Sequence, residues 1–259
     1  MNFFEAIILG LIQGLTEFLP VSSSGHLEIV KSIFGIDPEA SFFFTVAVHG
    51  ATVLSTLAVF WKEIRDLISG VFRFKMNEET SYVLKIVISM IPVGIAGVFL
   101  KDPIEALFDG NLVFVGFMLM ITALLLAFSY YIRKGDRKIG YLDALLIGIA
   151  QAIALIPGIS RSGATISTGL IIGNRKEDLA RFSFLMVLIP VLGANFLEIM
   201  GGDISGSTTG AGIIIAGFIS AFISGYLACT WMITLVKKSK LIWFAVYCLL
   251  IGLISVIYG

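Results

Sequence analysis

The chain has 259 residues, of which 58% are hydrophobic and 14% charged, and its mean hydropathy is +0.99. A soluble domain carries about 45–50% apolar residues, so this composition excludes a soluble globular fold and indicates an integral membrane protein. Lys plus Arg and Asp plus Glu both total 18, and no basic block offers a surface for nucleic acid.

Read in order, residues 2–35 are apolar but interrupted by Pro20 and the Ser/Gly cluster up to Gly25, which predicts two half-length helices rather than one span. The first basic residue is Lys31, so the start of the chain lacks the charged region of a signal peptide and is expected to stay in the mature protein. Crossing a bilayer takes about 20 apolar residues. Such runs occur at Ser41 to Trp61, Ser81 to Leu100, Leu112 to Ile132, Phe182 to Met200, Ala211 to Val236 and Leu241 to Tyr258. Residues 141–173 repeat the interrupted pattern, with the break between Pro157 and Gly163. Cys229 and Cys248 fall inside apolar runs and read as small buried side chains.

The two interrupted regions are copies. A shift of 138 residues sets Gln13 on Gln151, Gly10 on Gly148, Ser22 on Ser160, Ser24 on Ser162, Gly25 on Gly163 and Gly35 on Gly173 without a gap. One unit is therefore a broken helix pair followed by three spans, with unit one over 1–132 and unit two over 141–259 of a single membrane domain. The basic loops, 62–75, 133–138, 175–181 and 237–240, belong on the cytoplasmic side. All four reach that side only if 141–173 leaves and returns on one face. Three spans per unit then invert the second unit relative to the first. The expected fold is an all-α polytopic membrane protein of two inverted repeats, about ten helices in all, whose re-entrant pairs at 2–35 and 141–173 bring their tips together near mid-membrane.

Each second half-helix starts at a serine cluster, so its positive end and unpaired N–H groups face the tip and suit an anion such as phosphate. Ser22, Ser23, Ser24, Ser160 and Ser162 add hydroxyls, although capping is the ordinary use of any one of them. The copies then diverge: Glu17 stands against Leu155, His26 against Ala164, and Ser23 against Arg161. Unit one thus supplies acid/base groups and unit two the cation, with Arg161 able to grip phosphate oxygens bidentately or simply to pair with Glu17. Gln13 and Glu17, four apart, share a helix face, as do Ser23 and His26, three apart. His49 lies in an ordinary span and reads as packing or support.

The stretches Gln13-Gly-Leu-Thr-Glu-Phe-Leu-Pro-Val-Ser-Ser-Ser-Gly-His26 and Pro157-Gly-Ile-Ser-Arg-Ser-Gly-Ala-Thr165 resemble the two signature motifs of the undecaprenyl pyrophosphate phosphatase family, also called bacitracin resistance proteins. The resemblance implies a multi-pass hydrolase of the inner (cytoplasmic) membrane, its site open to the outer face. It would remove the terminal phosphate of a polyprenyl diphosphate, recycle the carrier lipid for cell-wall synthesis and confer bacitracin resistance. Ser23, His26, Glu17 and Arg161 would be catalytic, with Gln13, Ser22, Ser24, Gly25, Ser160, Ser162, Gly163 and Thr165 binding substrate. It also implies homodimers and a divalent cation, Mg²⁺ or Ca²⁺, for which Glu17 would be the metal ligand; this chain departs from members with a second carboxylate by carrying Gln13. The nucleophile stays open among Ser23 activated by His26 or Glu17, His26 itself, and water. The rival reading is a lipid-phosphate or anion transporter, since inverted repeats are carrier architecture.

Overall fold

The computed structural model describes all residues except 38–40, 109, 133–134, 202–209 and 238–240. The first broken pair is α1 (Phe3–Phe18) and α2 (Ser23–Phe34). It is followed by α3 (Phe42–Val59), α4 (Trp61–Val71), α5 (Glu78–Phe99), α6 (Lys101–Glu105) and α7 (Leu112–Tyr131). The second pair is α8 (Tyr141–Ile153) and α9 (Arg161–Ile171), followed by α10 (Lys176–Met186), α11 (Leu188–Gly201), α12 (Ala211–Lys237) and α13 (Ile242–Tyr258).

Among the described residues there are thirteen helical segments, against an expectation of about ten. Two are additions, the amphipathic α4 after a one-residue break at Phe60 and the single-turn α6. The third comes from the fourth span, which is split at Val187 because Pro190 has no N–H to donate back toward Met186 and its ring crowds the preceding turn. Counting α10 and α11 together, five segments are long and apolar enough to cross a bilayer. The sixth expected span, α13, has 17 residues, about 26 Å of helix.

The four half-helices run from 11 to 16 residues, at most about 24 Å each, so none crosses alone. Direct evidence for re-entry comes from the base of the second pair. Arg137, just before α8, donates its N–H to Gly173 O (3.2 Å) and accepts from Arg175 N–H (2.9 Å), just after α9. The Arg137 guanidinium adds bonds to Asp143 (3.1 Å) and to Ile172 O (2.8 Å), and Asn174 reaches the same carboxylate at 2.9 Å. Entry and exit therefore lie at one end of the bundle. Contacts of Lys138 with Glu78 and of Arg181 with the Tyr82 ring bring further basic loops to that end.

The copies share their punctuation. In each, the residue before the first half-helix donates its N–H to an acid three residues on, Asn2 to Glu5 at 2.7 Å and Gly140 to Asp143 at 2.9 Å. Beyond each second half-helix stands a glycine in the left-handed region, Gly35 at φ +62° and Gly173 at φ +90°, the conformation that ends a helix most cheaply.

Packing is exchanged between units: α1 lies on α12, α8 on α5, and α7 on α13. Without a hydrophobic drive between helices in lipid, such contacts depend on small residues that admit the neighbouring backbone. Gly10 and Gly14 face Gly217, Ala221 and Ser224; Gly148 faces Ser89; Gly116 faces Gly252. Replacing Gly14 by Val would drive a Cβ to 2.5 Å from Ala221 O and is expected to cost about 1–3 kcal/mol or more. Thermal unfolding in detergent measures this, with Gly94→Ala as the unaffected control because nothing lies within 4 Å of its added Cβ.

Candidate functional site at the two helix tips

The two tips meet. Arg161 Nη2, from the start of α9, forms a hydrogen-bonded ion pair with Glu17 Oε1 at the end of α1. Ser162 Oγ donates to Leu19 O at 3.2 Å, directly ahead of Pro20, and an added Cβ on Gly163 would touch the Pro20 ring at 3.4 Å. Glu17 is the hub: its second oxygen accepts from Ser23 Oγ at 2.6 Å and from Gln13 Nε2 at 3.0 Å. The i,i+4 spacing of Gln13 and Glu17 thus becomes a real contact. The break between α1 and α2 is what turns Ser23 back onto Glu17, six residues earlier.

The helix starts are built alike. Ser22 caps α2, its Oγ accepting from Gly25 N–H at 3.3 Å, and Ser160 caps α9, accepting from Gly163 N–H at 3.1 Å. Ser24 and Ser162 then contact the capping hydroxyls at 3.3 and 3.4 Å. The first-turn N–H groups of Ser23, Ser24, Arg161 and Ser162 have no acceptor within their helices and concentrate positive potential there. Backbone conformation differs: Ser22 sits at φ +70°, whereas Ser160 is extended at φ −75° and Gly158 takes the positive φ, +93°. Thr122 of α7 steadies the second tip, accepting from Ser160 N–H at 3.0 Å and donating to Gly158 O at 3.2 Å.

Beside this hub lies a small cavity of about 20 Å³, lined by Glu17, Arg161, Ser162, Thr52, Thr56 and Ser183 with apolar neighbours that include Phe184 of α10 and Leu188 and Val191 of α11. Two polar atoms at the hub are buried without a protein partner, Arg161 Nη1 and Gln13 Oε1. Such groups cost about 1–3 kcal/mol when left unsatisfied, so an unpaired guanidinium N–H is a standing demand for an acceptor. An oxyanion meets it.

Gln13, Glu17, Ser23 and Arg161 are brought into one bonded set, flanked by Ser22, Ser24, Ser160 and Ser162. Gly25 and Gly163 present their N–H groups to the caps rather than to the cavity. Thr165 turns away, its hydroxyl 2.6 Å from that of Ser183 and bonded to Arg161 O at 2.9 Å, where it braces the arginine turn. His26 also turns away from Ser23. Its Nδ1 is 2.8 Å from Ser22 O and its Nε2 is 2.8 Å from the Tyr247 hydroxyl. Of the two bases considered for Ser23, Glu17 is the one in contact. Tyr247 and Thr122 lie outside the motifs, and no spacing rule points to them.

For a divalent cation the protein's own oxygens here are those of the Glu17 carboxylate, Gln13 Oε1 and the Ser23 hydroxyl. Among the described residues no group of three His, Cys, Asp or Glu converges. Calcium or magnesium wants six or more oxygens, and Arg161 already neutralises the carboxylate, so this set does not fit a resident, protein-caged ion.

Two broken helix pairs whose tips meet at a shared polar hub, within a bundle of long apolar helices, define an all-α polytopic membrane protein. More particularly, the chain belongs to the bacitracin resistance protein BacA family, whose model matches residues 6–254. It is 55% identical over 261 residues to the undecaprenyl-diphosphatase of Christiangramia forsetii, spanning 100% of this chain and 99% of that one. The protein of the same name from Bacteroides fragilis is 55% identical over 262 residues, with 99% and 98% covered. That from Methanosphaera stadtmanae is 38% identical over 275 residues, again with 99% and 98% covered.

The ion pair makes a stability prediction. Glu17→Gln and Arg161→Met each strand a buried charge and are expected to lower stability by about 3 kcal/mol, whereas the same two replacements made together recover part of that loss. Unfolding of the two single variants and the double variant in detergent, analysed as a thermodynamic cycle, measures the coupling.

Proposed function

We propose that the protein is a membrane phosphatase that hydrolyses undecaprenyl diphosphate, or a related polyprenyl diphosphate, to the monophosphate and inorganic phosphate. The observation that carries this reading is the Ser23 hydroxyl donating to Glu17 at 2.6 Å, across from the unpaired N–H of Arg161. A serine becomes a competent nucleophile only beside a base, and a carrier gives this contact no task. The relatives' name supports the same activity.

The steps follow from the groups present. The prenyl tail stays in lipid while the diphosphate enters between the tips, its oxygens taken by Arg161, the first-turn N–H groups and the serine hydroxyls. Stabilising charge on these oxygens is the main work of phosphoryl transfer. Ser23 Oγ attacks the terminal phosphorus, its proton passes to Glu17, and the bond to the bridging oxygen breaks as the prenyl monophosphate leaves. Water then attacks the phosphoserine, the bond from phosphorus to Oγ breaks, and Glu17 returns the proton to Oγ. Of the water's two protons, one stays on the phosphate and the other is released. A divalent cation, Mg²⁺ or Ca²⁺, is assigned to the diphosphate it accompanies, and no step runs through it.

We further place the basic loops in the cytoplasm of a cell whose inner membrane holds the chain, with the site open to the opposite face, on the positive-inside rule. A homodimer through the exposed glycine and aromatic faces is part of the proposal.

Detergent-solubilised protein is expected to release phosphate from undecaprenyl diphosphate, and Ser23→Ala to lose at least about 100-fold in turnover. Brief reaction with substrate labelled on its terminal phosphate should trap an acid-stable phosphoenzyme. An acid-labile adduct would sink Ser23 as nucleophile in favour of a histidine, and no phosphate release at all would favour the carrier reading.

A further inference from the structure

His26 is nine-tenths buried on α2 and makes no bond to Ser23 or Glu17, so the first half of the reaction leaves it without a task. Its partners define its state. Ser22 O, 2.8 Å from Nδ1, can only accept, so Nδ1 carries a proton. Both partners are neutral oxygens and neither is a carboxylate, so burial favours the uncharged ring. The imidazole is therefore neutral, Nε2 holds a lone pair, and the Tyr247 hydroxyl at 2.8 Å donates to it. The two rings lie 10° from parallel with centroids 5.5 Å apart, which fixes the direction of that lone pair. Tyr247 comes from α13, the last helix of the other unit, and the next residue anchors the same helix to the tip through Cys248 Sγ, 3.5 Å from Pro20 O. Tyr247 is 41% exposed, whereas His26 is 8% exposed.

We propose that Tyr247 serves the second half of the reaction: its hydroxyl holds His26 as the neutral, Nδ1-protonated imidazole and relays to Nε2 the proton shed by the hydrolytic water. This rests on the phosphatase reading above. As water oxygen bonds to phosphorus, the phosphorus–Oγ bond breaks and Glu17 reprotonates Oγ. The water's surplus proton passes to the Tyr247 hydroxyl oxygen as that hydroxyl hands its own proton to Nε2, so the hydroxyl ends by accepting from the new N–H. The two bases then divide the work, Glu17 serving the serine and His26 the water. Without the tyrosine hydroxyl the ring is free to exchange tautomers and lose its orientation.

The test uses Tyr247→Phe, which keeps the ring stack and removes only the hydroxyl. The chain has two histidines, His26 and His49, so nitrogen NMR of histidine-labelled protein, assigned with a His49→Gln variant, reads the His26 tautomer without substrate. The wild type is expected to show a single Nδ1-protonated form and Tyr247→Phe a mixture. In turnover, Tyr247→Phe is expected to lower kcat about tenfold with KM within twofold and to make the phosphoenzyme accumulate. It should add nothing in a His26→Ala background. An unchanged tautomer, wild-type turnover, or an equal loss with His26 already removed would each overturn the role of Tyr247. Absence of phosphate release from the wild type would instead overturn the phosphatase reading, and the tautomer measurement would still decide the hydrogen bond by itself.

Discussion

One contact, the ion pair between Glu17 and Arg161, ties the molecule's two halves into a site. Each group alone would be costly at this depth: a carboxylate and a guanidinium with little water around them lose several kcal/mol of hydration each. Together they neutralise one another. The carboxylate keeps an oxygen for Ser23, and the guanidinium keeps a free N–H for a phosphate oxygen. The pair is therefore both the weld between the hairpins and the reason the pocket has polarity of both signs.

Everything that lets those two groups meet is backbone economy. Half-helices that stop midway leave unpaired N–H and C=O groups, which lipid cannot satisfy. Here the loose ends are absorbed by capping serines, by Thr122, and by the opposite tip through Ser162 and Leu19. Their stems are held in turn by glycine-lined crossings that draw α1 onto α12 and α8 onto α5, so each hairpin is clasped by a span of the other unit.

Much of this was legible from residue order. The gap-free repeat and the Pro/Ser interruptions identify the hairpins, and the loss of Glu17 and His26 from unit two, with the gain of Arg161, marks where the copies parted. Side-chain direction was not legible. Ser23 and His26, three apart, both qualify for one helix face, yet the imidazole bonds the carbonyl four residues back while the serine turns toward α1. Tyr247 is one of seven tyrosines in a chain with 12% aromatic residues, and only the packing of α13 against the tip distinguishes it. The break at Val187 had a readable cause in Pro190, but the segment Lys176–Phe196 as a whole is long and apolar enough to read as one span. The surface helix α4 alternates charged and apolar residues, which a search for unbroken apolar runs passes over.

The two hairpins also differ in how their backbones are tensioned. At the cradle tip the unusual torsion falls on Gly158, which adopts it freely, whereas at the reactive tip it falls on Ser22, where a side chain resists it. A conformation of that kind persists only while its surroundings enforce it. The half of the molecule that carries Glu17, Ser23 and His26 is thus the half kept slightly sprung.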